Sequence, residues 1–257
     1  MRSVPFFDER YPVRTVYTEN SDPPAVPGWD EAVVRNAAMA DYADVPVARV
    51  VYAKEIHSGS VFAVTSQDGS GSIVHTEEAF ITKPSGGFDS VITDIPCIMM
   101  CITTADCLPL FLYDTAHHAV AITHCGWRGT ASGIASNTIR KMGELYGSDS
   151  ADIIAAIGPC ICGKCYEVGE ELIDAFSMTF SDDEIKGFFT PKENGKYLLD
   201  NRAAVLCDIA RVGITSDHIY DTDICSFESP GFASYRRDGR VIPSRQTISA
   251  IVLKDMY

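Results

Sequence analysis

Two apolar runs separated by a short polar stretch mark the middle of the chain: Leu108–Tyr113, then Asp114–His118, then Ala119–Thr123. Runs of this length, rich in branched and aromatic residues, suit buried strands better than helices. Joined by a tight turn, they predict an antiparallel hairpin. Cys107 then stands just before the first strand and His124 just after the second, side by side at one sheet edge. Further strands are expected at Ala48–Tyr52, Ser60–Val64, Ile98–Thr103, Ile153–Ile157, Ile214–Tyr220 and Thr247–Leu253. Helical spacing runs through Ile134, Ala135, Thr138, Ile139, Met142, Leu145 and Tyr146, with Gly147 placed as the stop. Val168, Leu172 and Phe176 mark a second helix face, and a third helix runs from about Asn201 to Val212, capped by Gly213. Asp30 reads as the N-cap of an earlier helix carrying Val33, Val34, Ala37 and Ala38.

Polar and breaker-rich stretches complete the outline. Residues 1–28 read as irregular, closing on Pro23, Pro24 and Pro27, and Ser66–Ser72 reads as a loop. Ser181–Lys196 is expected to be an exposed excursion and Ser226–Arg245 a polar segment between late strands. Strands and helices mix without a strict βαβ rhythm, an internal repeat or an interdomain linker. The pattern predicts one mixed α/β domain over residues 1–257.

Composition narrows the function classes. The chain of 257 residues can bury a substantial core. A formal charge of −14 argues against a nucleic-acid partner, which needs a basic patch. The segment MRSVPFFDERYPVR lacks the apolar centre of a signal peptide, and no run reaches membrane-spanning length, so no membrane association is expected. Nine cysteines, an odd number, predict reduced thiols in a cytoplasmic protein rather than a disulfide framework.

Three groups of residues carry candidate chemistry. His57, Cys107 and His124 each fall at a strand end, and zinc accepts two imidazoles and a thiolate with a fourth position open. A core histidine, a buried cysteine and a surface histidine without a shared role remain the alternative. Cys160, Cys162 and Cys165 invite a structural zinc or iron–sulfur reading, but only Cys97, Cys101 and Cys125 compete as a fourth ligand. Free thiols in a loop are therefore expected there. Gly126-Trp127-Arg128-Gly129 turns from a strand into a helix, which suits an anion, while the Arg236–Arg237 pair suits either a solvated face or a ligand. Asp106 is placed to accept a proton or to cap a turn. His75, His117, His118 and His218 read as surface residues.

Four stretches in order, ITTADCLPLFLYD, HCGWRGT, IGPCICGKCYEVG and SYRRDG, resemble the laccase-domain family, also called multicopper polyphenol oxidoreductases or purine nucleoside phosphorylases. The resemblance implies an α/β domain of mixed β-sheets sandwiched by helices, distantly similar to bacterial toxin deamidases that use a Cys–His pair. It also implies one bound metal, usually zinc, on the residues matching the family's ligands: His57, Cys107 and His124. The activities implied are phosphorolysis of purine nucleosides, including methylthioadenosine, and adenosine deamination, with copper-dependent phenol oxidation as an older assignment. Purine nucleosides and inorganic phosphate are the partners expected. Three positions depart from the pattern: Glu55-Ile56-His57-Ser58 replaces QVHG, Cys125 replaces a small alanine and is a competing metal donor, and Val16-Tyr17-Thr18-Glu19 lacks a basic residue.

Within that resemblance, Arg128 is expected to hold phosphate, with Gly126, Gly129 and Arg236 around it, and Glu55 or Asp106 to shuttle a proton. Cys107 and His124 double as nucleophile and base in a competing hydrolase reading. Copper oxidation needs several coppers and more ligands than one His/Cys/His set. A redox-sensing binding module is the non-enzymatic alternative.

Overall fold

Every side chain of Leu108–Asp114 is buried, although a strand points alternate residues to opposite faces. Both faces must therefore be covered. Phe111 and Tyr113 join one apolar cluster with Ile102, Ile122 and Ile251, while Leu108, Leu110 and Leu112 join another with Ile134, Ile139 and Val205. The first cluster lies between two sheets and the second between a sheet and helices.

The computed structural model describes residues 1–22, 38–65, 71–75, 80–84, 86–239 and 246–255. Its strands are β1 (Val13–Tyr17), β2 (Arg49–Tyr52), β3 (Val61–Ala63), β4 (Gly71–His75), β5 (Phe80–Pro84), β6 (Ser90–Thr93), β7 (Ile98–Thr104), β8 (Leu108–Asp114) and β9 (Val120–Cys125). There follow β10 (Ile153–Ile157), β11 (Glu167–Val168), β12 (Phe189–Pro191), β13 (Tyr197–Leu199), β14 (Ile219–Asp221) and β15 (Thr247–Leu253). Helices are α1 (Pro5–Arg10), α2 (residues 38–43), α3 (Trp127–Ala131), α4 (Ile134–Tyr146), α5 (Glu171–Ser177), α6 (Asp182–Phe188) and α7 (Asn201–Arg211).

One six-stranded sheet runs β1-β15-β7-β2-β5-β4 and a second β14-β10-β8-β9-β6-β3, each with parallel and antiparallel pairs, while β11-β13-β12 form a small third sheet outside this pair. On β7 and β15, Met100, Ile102 and Ile251 face the space between the sheets. Met99, Cys101, Ala250 and Val252 face outward onto Met39 and Ala43 of α2. The second sheet carries α4 and α7 on its outer face. The layers are helix, sheet, sheet, helices, so the architecture is the expected mixed α/β sandwich.

α4 owes its limits to two glycines in the left-handed region, Gly133 (φ 68°) and Gly147 (φ 78°), where other residues carry strain. Asp208 of α7 accepts the Ser136 N–H at 3.0 Å in the first turn, satisfying a donor that the helix start leaves open. Leu145, counted with the apolar stripe from its spacing, is exposed instead. Asp114 closes the β8–β9 hairpin by accepting the N–H groups of Ala116 and His117 at 2.8 and 3.1 Å.

Several expectations need correction. Residues 1–28 are not irregular throughout: α1 packs there, and β1 pairs along its whole length with β15. Arg14 and Thr15 interrupt the apolar run of Val13–Tyr17, yet Thr15 is buried with the rest of the strand, and the two side chains bond to the Asp8 carbonyl and carboxylate respectively. Ser181–Lys196 is no simple excursion; Ser181 and Glu184 form a capping box on α6, and Phe188 and Phe189 bury against Phe176 and Phe180. Val168 lies in β11, so only Leu172 and Phe176 of the proposed stripe are helical. Ile214–Tyr220 contains a 3₁₀ turn at Ser216–His218 before β14. Gly71 and Ser72 belong to β4 rather than a loop. Pro23, Pro24, Pro27, Asp30, Val33, Val34, Ala37, residues 66–70 and residues 240–245 lie outside the described residues.

Candidate functional site

Cys107 lies on the short crossing from β7 in one sheet to β8 in the other, and His57 on the crossing from β2 to β3. Hairpin pairing places Pro109 opposite His124 and Leu108 opposite Cys125, so Cys107 and His124 meet at one end of the sheet. His124 sits inside β9, one residue before its end, rather than after it. His57 reaches the same point through a left-handed backbone (φ 59°), a costly conformation held by surrounding hydrogen bonds. The donor atoms of His57, Cys107 and His124 all lie within 4.8 Å of one another. The two imidazole rings stand nearly perpendicular, at 87°.

Asp89 organises this group, and the sequence reading missed it. It immediately precedes β6, and the antiparallel pairing of Ser90 with Thr123 sets it beside His124. Its Oδ1 accepts from His57 N at 2.9 Å and lies 3.0 Å from His124 Nδ1; Oδ2 accepts from Ser58 N at 2.6 Å. The carboxylate is completely buried. An acceptor at Nδ1 keeps the proton there and leaves Nε2 of His124 as the free donor atom, the usual outer support of an imidazole ligand.

Burial pushes the Cys107 thiol up, but the charge of His124 and hydrogen bonds from His124 and His57 outweigh it, bringing the thiol down to about 6. Burial lowers His124, and the Cys107 thiolate and Asp89 more than offset that, raising it to about 10. The pair therefore favours thiolate beside imidazolium when no cation is bound.

The group fits a metal ion on its own geometry. A Cβ built on Gly126 would stand 2.9 Å from His57 Cδ2, 3.2 Å from Cys107 Sγ and 3.2 Å from His124 Cε1. The three side chains thus enclose a space that a methyl group would fill. Two imidazoles and a thiolate are a suitable donor set for zinc, with a position left toward the cavity. Cys125 is no competitor: its sulfur packs in the apolar layer under α4, and burial raises its pKa well above the ordinary value.

A cavity of about 590 Å³ opens over the group, lined by Glu55, Arg128, Tyr166, Asn201 and Arg236 among others. Arg128 is exposed, with its guanidinium 4.2 Å from the Trp127 ring centroid. Arg236 lies over the Tyr166 ring at 4.7 Å and donates to the Glu167 carbonyl. Arg237 is structural: it binds the carbonyls of Ser226 and Phe232 at 2.8 and 2.7 Å, so the pair is not a mere solvated face. Gly129 leaves room for the Ser58 carbonyl, 3.0 Å from where its Cβ would stand.

The two carboxylates proposed as proton shuttles differ. Glu55 accepts from Thr103 N at 2.6 Å and lines the cavity. Asp106 is committed elsewhere: Oδ1 accepts from Ser226 Oγ at 2.7 Å and Oδ2 from Arg236 N at 2.8 Å. It reads as a clamp behind Cys107 rather than a mobile proton carrier. Tyr166 and Asn201 were also missed. Asn201 gives its amide N–H to the Cys125 carbonyl at 2.9 Å, while its Oδ1 is buried without a partner among the described residues.

The CxCxxC thiols do not act as one group. Cys160 receives Arg202 at 3.6 Å, whereas Cys162 and Cys165 gather with Cys225 and Glu228. Cys225 had not been considered as a partner. Glu19, where a basic residue was expected, pairs with Arg2 at 2.7 Å. Among the described residues, no helix is long and apolar enough to cross a membrane.

The chain is similar to several known proteins. A purine nucleoside phosphorylase of Bacteroides thetaiotaomicron is 36% identical over 174 residues, 65% of this chain and 61% of its own length. The purine nucleoside phosphorylase YlmD of Bacillus subtilis is 30% identical over 212 residues, 81% of this chain and 73% of its own. The adenosine deaminase RL5, from an unknown prokaryotic organism, is 35% identical over 172 residues, 65% of this chain and 63% of its own. In three dimensions, the hypothetical protein YfiH of Bacillus licheniformis superposes with a TM-score of 0.77 at 28% identity, covering 94% of this chain and 93% of its own. The model of one family, described as multi-copper polyphenol oxidoreductase laccase, matches residues 25–254. With that span covering the second sheet, all of the first sheet but β1, the hairpin and the His57, Cys107 and His124 positions, the chain belongs to the multi-copper polyphenol oxidoreductase laccase family.

Proposed function

We propose that this chain is a zinc-dependent purine nucleoside phosphorylase, with adenosine deaminase and methylthioadenosine phosphorylase side activities. The observation that carries the reading is the convergence of three donor atoms within 4.8 Å at the floor of a nucleoside-sized cavity. The names of its relatives point the same way. A cavity of this volume falls within the range of small-molecule sites, roughly 300–1000 Å³.

His57, Cys107 and His124 would hold the ion, which when bound supplies a Lewis-acidic position facing the cavity. The remaining work falls to the chain. Arg128, exposed at the start of α3, binds the phosphate dianion and orients it. Tyr166 and the Arg236 guanidinium stacked on it offer a flat surface for the purine. In phosphorolysis a phosphate oxygen attacks the anomeric carbon as the purine leaves, and positive charge develops on the ribose. Glu55, held by Thr103, is the carboxylate placed to exchange a proton with the substrate in either reaction. Copper-dependent phenol oxidation is the weaker reading of the same site: only two histidines occupy metal-competent groups among the described residues.

One observation favours a second reading, a cysteine hydrolase. Cys107, His124 and Asp89 form a thiol–imidazole–carboxylate chain with a depressed thiol pKa. Product analysis from adenosine with and without phosphate separates the readings. Adenine plus ribose 1-phosphate, formed only with phosphate, supports the proposal, as does loss of both zinc and turnover in His57→Ala. Full turnover in metal-free His57→Ala would establish the hydrolase.

A further inference from the structure

None of the four residues Cys162, Cys165, Cys225 and Glu228 lines the cavity described above. Their three sulfurs and one carboxylate oxygen nevertheless all lie within 4.8 Å of one another. Two short turns produce this. In Cys162-Gly163-Lys164-Cys165, the Cys165 N–H bonds to the Cys162 carbonyl at 3.0 Å, turning both thiols to one side. In Cys225-Ser226-Phe227-Glu228, the Ser229 N–H bonds to the Cys225 carbonyl at 3.0 Å and folds Glu228 back toward its cysteine. Each turn thus offers a pair of ligands with two residues between them, the spacing of paired metal-binding turns.

The turns are locked together through the backbone. Cys160 N binds the Ile224 carbonyl at 3.1 Å, and Ser226 N binds the Cys160 carbonyl at 3.0 Å. The Cys162 N–H points at Cys225 Sγ, 3.4 Å away, tying the first turn to the sulfur of the second. All three cysteines are free rather than disulfide-bonded. In a tetrahedral zinc site with bonds of about 2.3 Å, sulfurs stand about 3.8 Å apart, so small side-chain rotations complete the geometry. An entry path exists: Cys162 and Cys165 are half-buried, Glu228 is exposed, and a depression of about 630 Å³ is lined by Cys162, Cys225 and Glu228.

We propose that Cys162, Cys165, Cys225 and Glu228 bind a zinc ion in a closed, four-ligand structural site distinct from the His57/Cys107/His124 centre. The donor set selects a thiophilic cation; magnesium and calcium prefer all-oxygen shells. Binding releases the thiol protons to solvent. The ion ties together the two segments that wall the first cavity. Cys165 is followed by Tyr166, and Cys225 by Ser226, which donates to Asp106 beside Cys107.

The test is zinc content of the full-length protein purified from zinc-supplemented medium. Two zinc ions per chain are expected in the wild type, one in His57→Ala, one in the Cys162→Ser/Cys165→Ser double variant, and none in the combined variant. Lys164→Ala, a non-ligand inside the first turn, keeps both. Should the cysteine variants fail to fold, alkylation of the native wild type decides: zinc protects Cys162, Cys165 and Cys225, and a chelator exposes them. Cobalt-loaded His57→Ala should show intense thiolate-to-cobalt absorption. A single zinc per chain that vanishes in His57→Ala, unprotected thiols, or a Cys162–Cys165 disulfide in freshly purified protein would each overturn the site. Because these readouts concern metal and thiols, they stand or fall independently of phosphorylase activity.

Discussion

Asp89 Oδ1 lies 3.0 Å from His124 Nδ1 and also accepts the backbone N–H of His57 at 2.9 Å. One buried oxygen therefore positions two of the three residues that converge at the cavity floor. Asp89→Asn keeps the shape but replaces one acceptor oxygen by a donor. Zinc affinity at the first centre should fall about 10–100-fold. Stability should drop by on the order of 1–3 kcal/mol, since a buried group loses its partner. Chelator competition and denaturant unfolding measure the two effects, and unchanged affinity would remove Asp89 from the account.

Gly126 has ordinary dihedrals, φ −68° and ψ 159°, so alanine there strains no backbone. Its methyl would instead enter the space between His57, Cys107 and His124. Gly126→Ala should lose zinc from this centre and cost about 1–3 kcal/mol in unfolding, the usual penalty for overpacking a buried site. Metal analysis beside thermal unfolding checks this.

The pH dependence of Cys107 follows from its depressed pKa, about 6 against an ordinary 9.0. Above that value the metal-free protein carries a thiolate, and below it the sulfur is protonated and unreactive. Iodoacetamide labelling of Cys107 in metal-free protein should fall about tenfold from pH 7 to pH 5. His124→Ala removes the group that outweighs burial, so its labelling midpoint should move upward. A midpoint unchanged in that variant would show that the imidazole does not set the thiol.

Arg128 is exposed and, among the described residues, stacks on Trp127, so its removal should cost little stability. If it holds phosphate, Arg128→Ala loses a charge-assisted contact of about 1.5–3 kcal/mol, roughly 10–100-fold in phosphate affinity. Steady-state kinetics with varied phosphate should show the change in KM for phosphate, with the nucleoside KM nearly constant.

Much of this site was readable in one dimension because the hairpin is local. Leu108–Tyr113 and Ala119–Thr123 pair across five residues, and that pairing alone brings Cys107 to His124. Asp89 was invisible for the opposite reason. It follows Gly86, Gly87 and Phe88 and reads as a turn residue; only the β6–β9 pairing, across thirty-odd residues, reveals what it serves. Cys225 was missed likewise. Parallel backbone pairing between Cys160 and Cys225 joins segments far apart in the chain, and no local spacing encodes it. Asp106 looked like acid–base chemistry because it adjoins Cys107, yet its positive φ of 85° turns it toward Ser226 and Arg236.

His57 and Cys107 both ride on segments that pass from one sheet to the other, while His124 belongs to the second sheet alone. A cation gripped by all three acts as a rivet through the sandwich, resisting any sliding of one layer over its neighbour. Stripping it should speed amide hydrogen exchange in β7 and β8 before α5 and α6 respond. Stiffness at this seam would then follow the supply of metal.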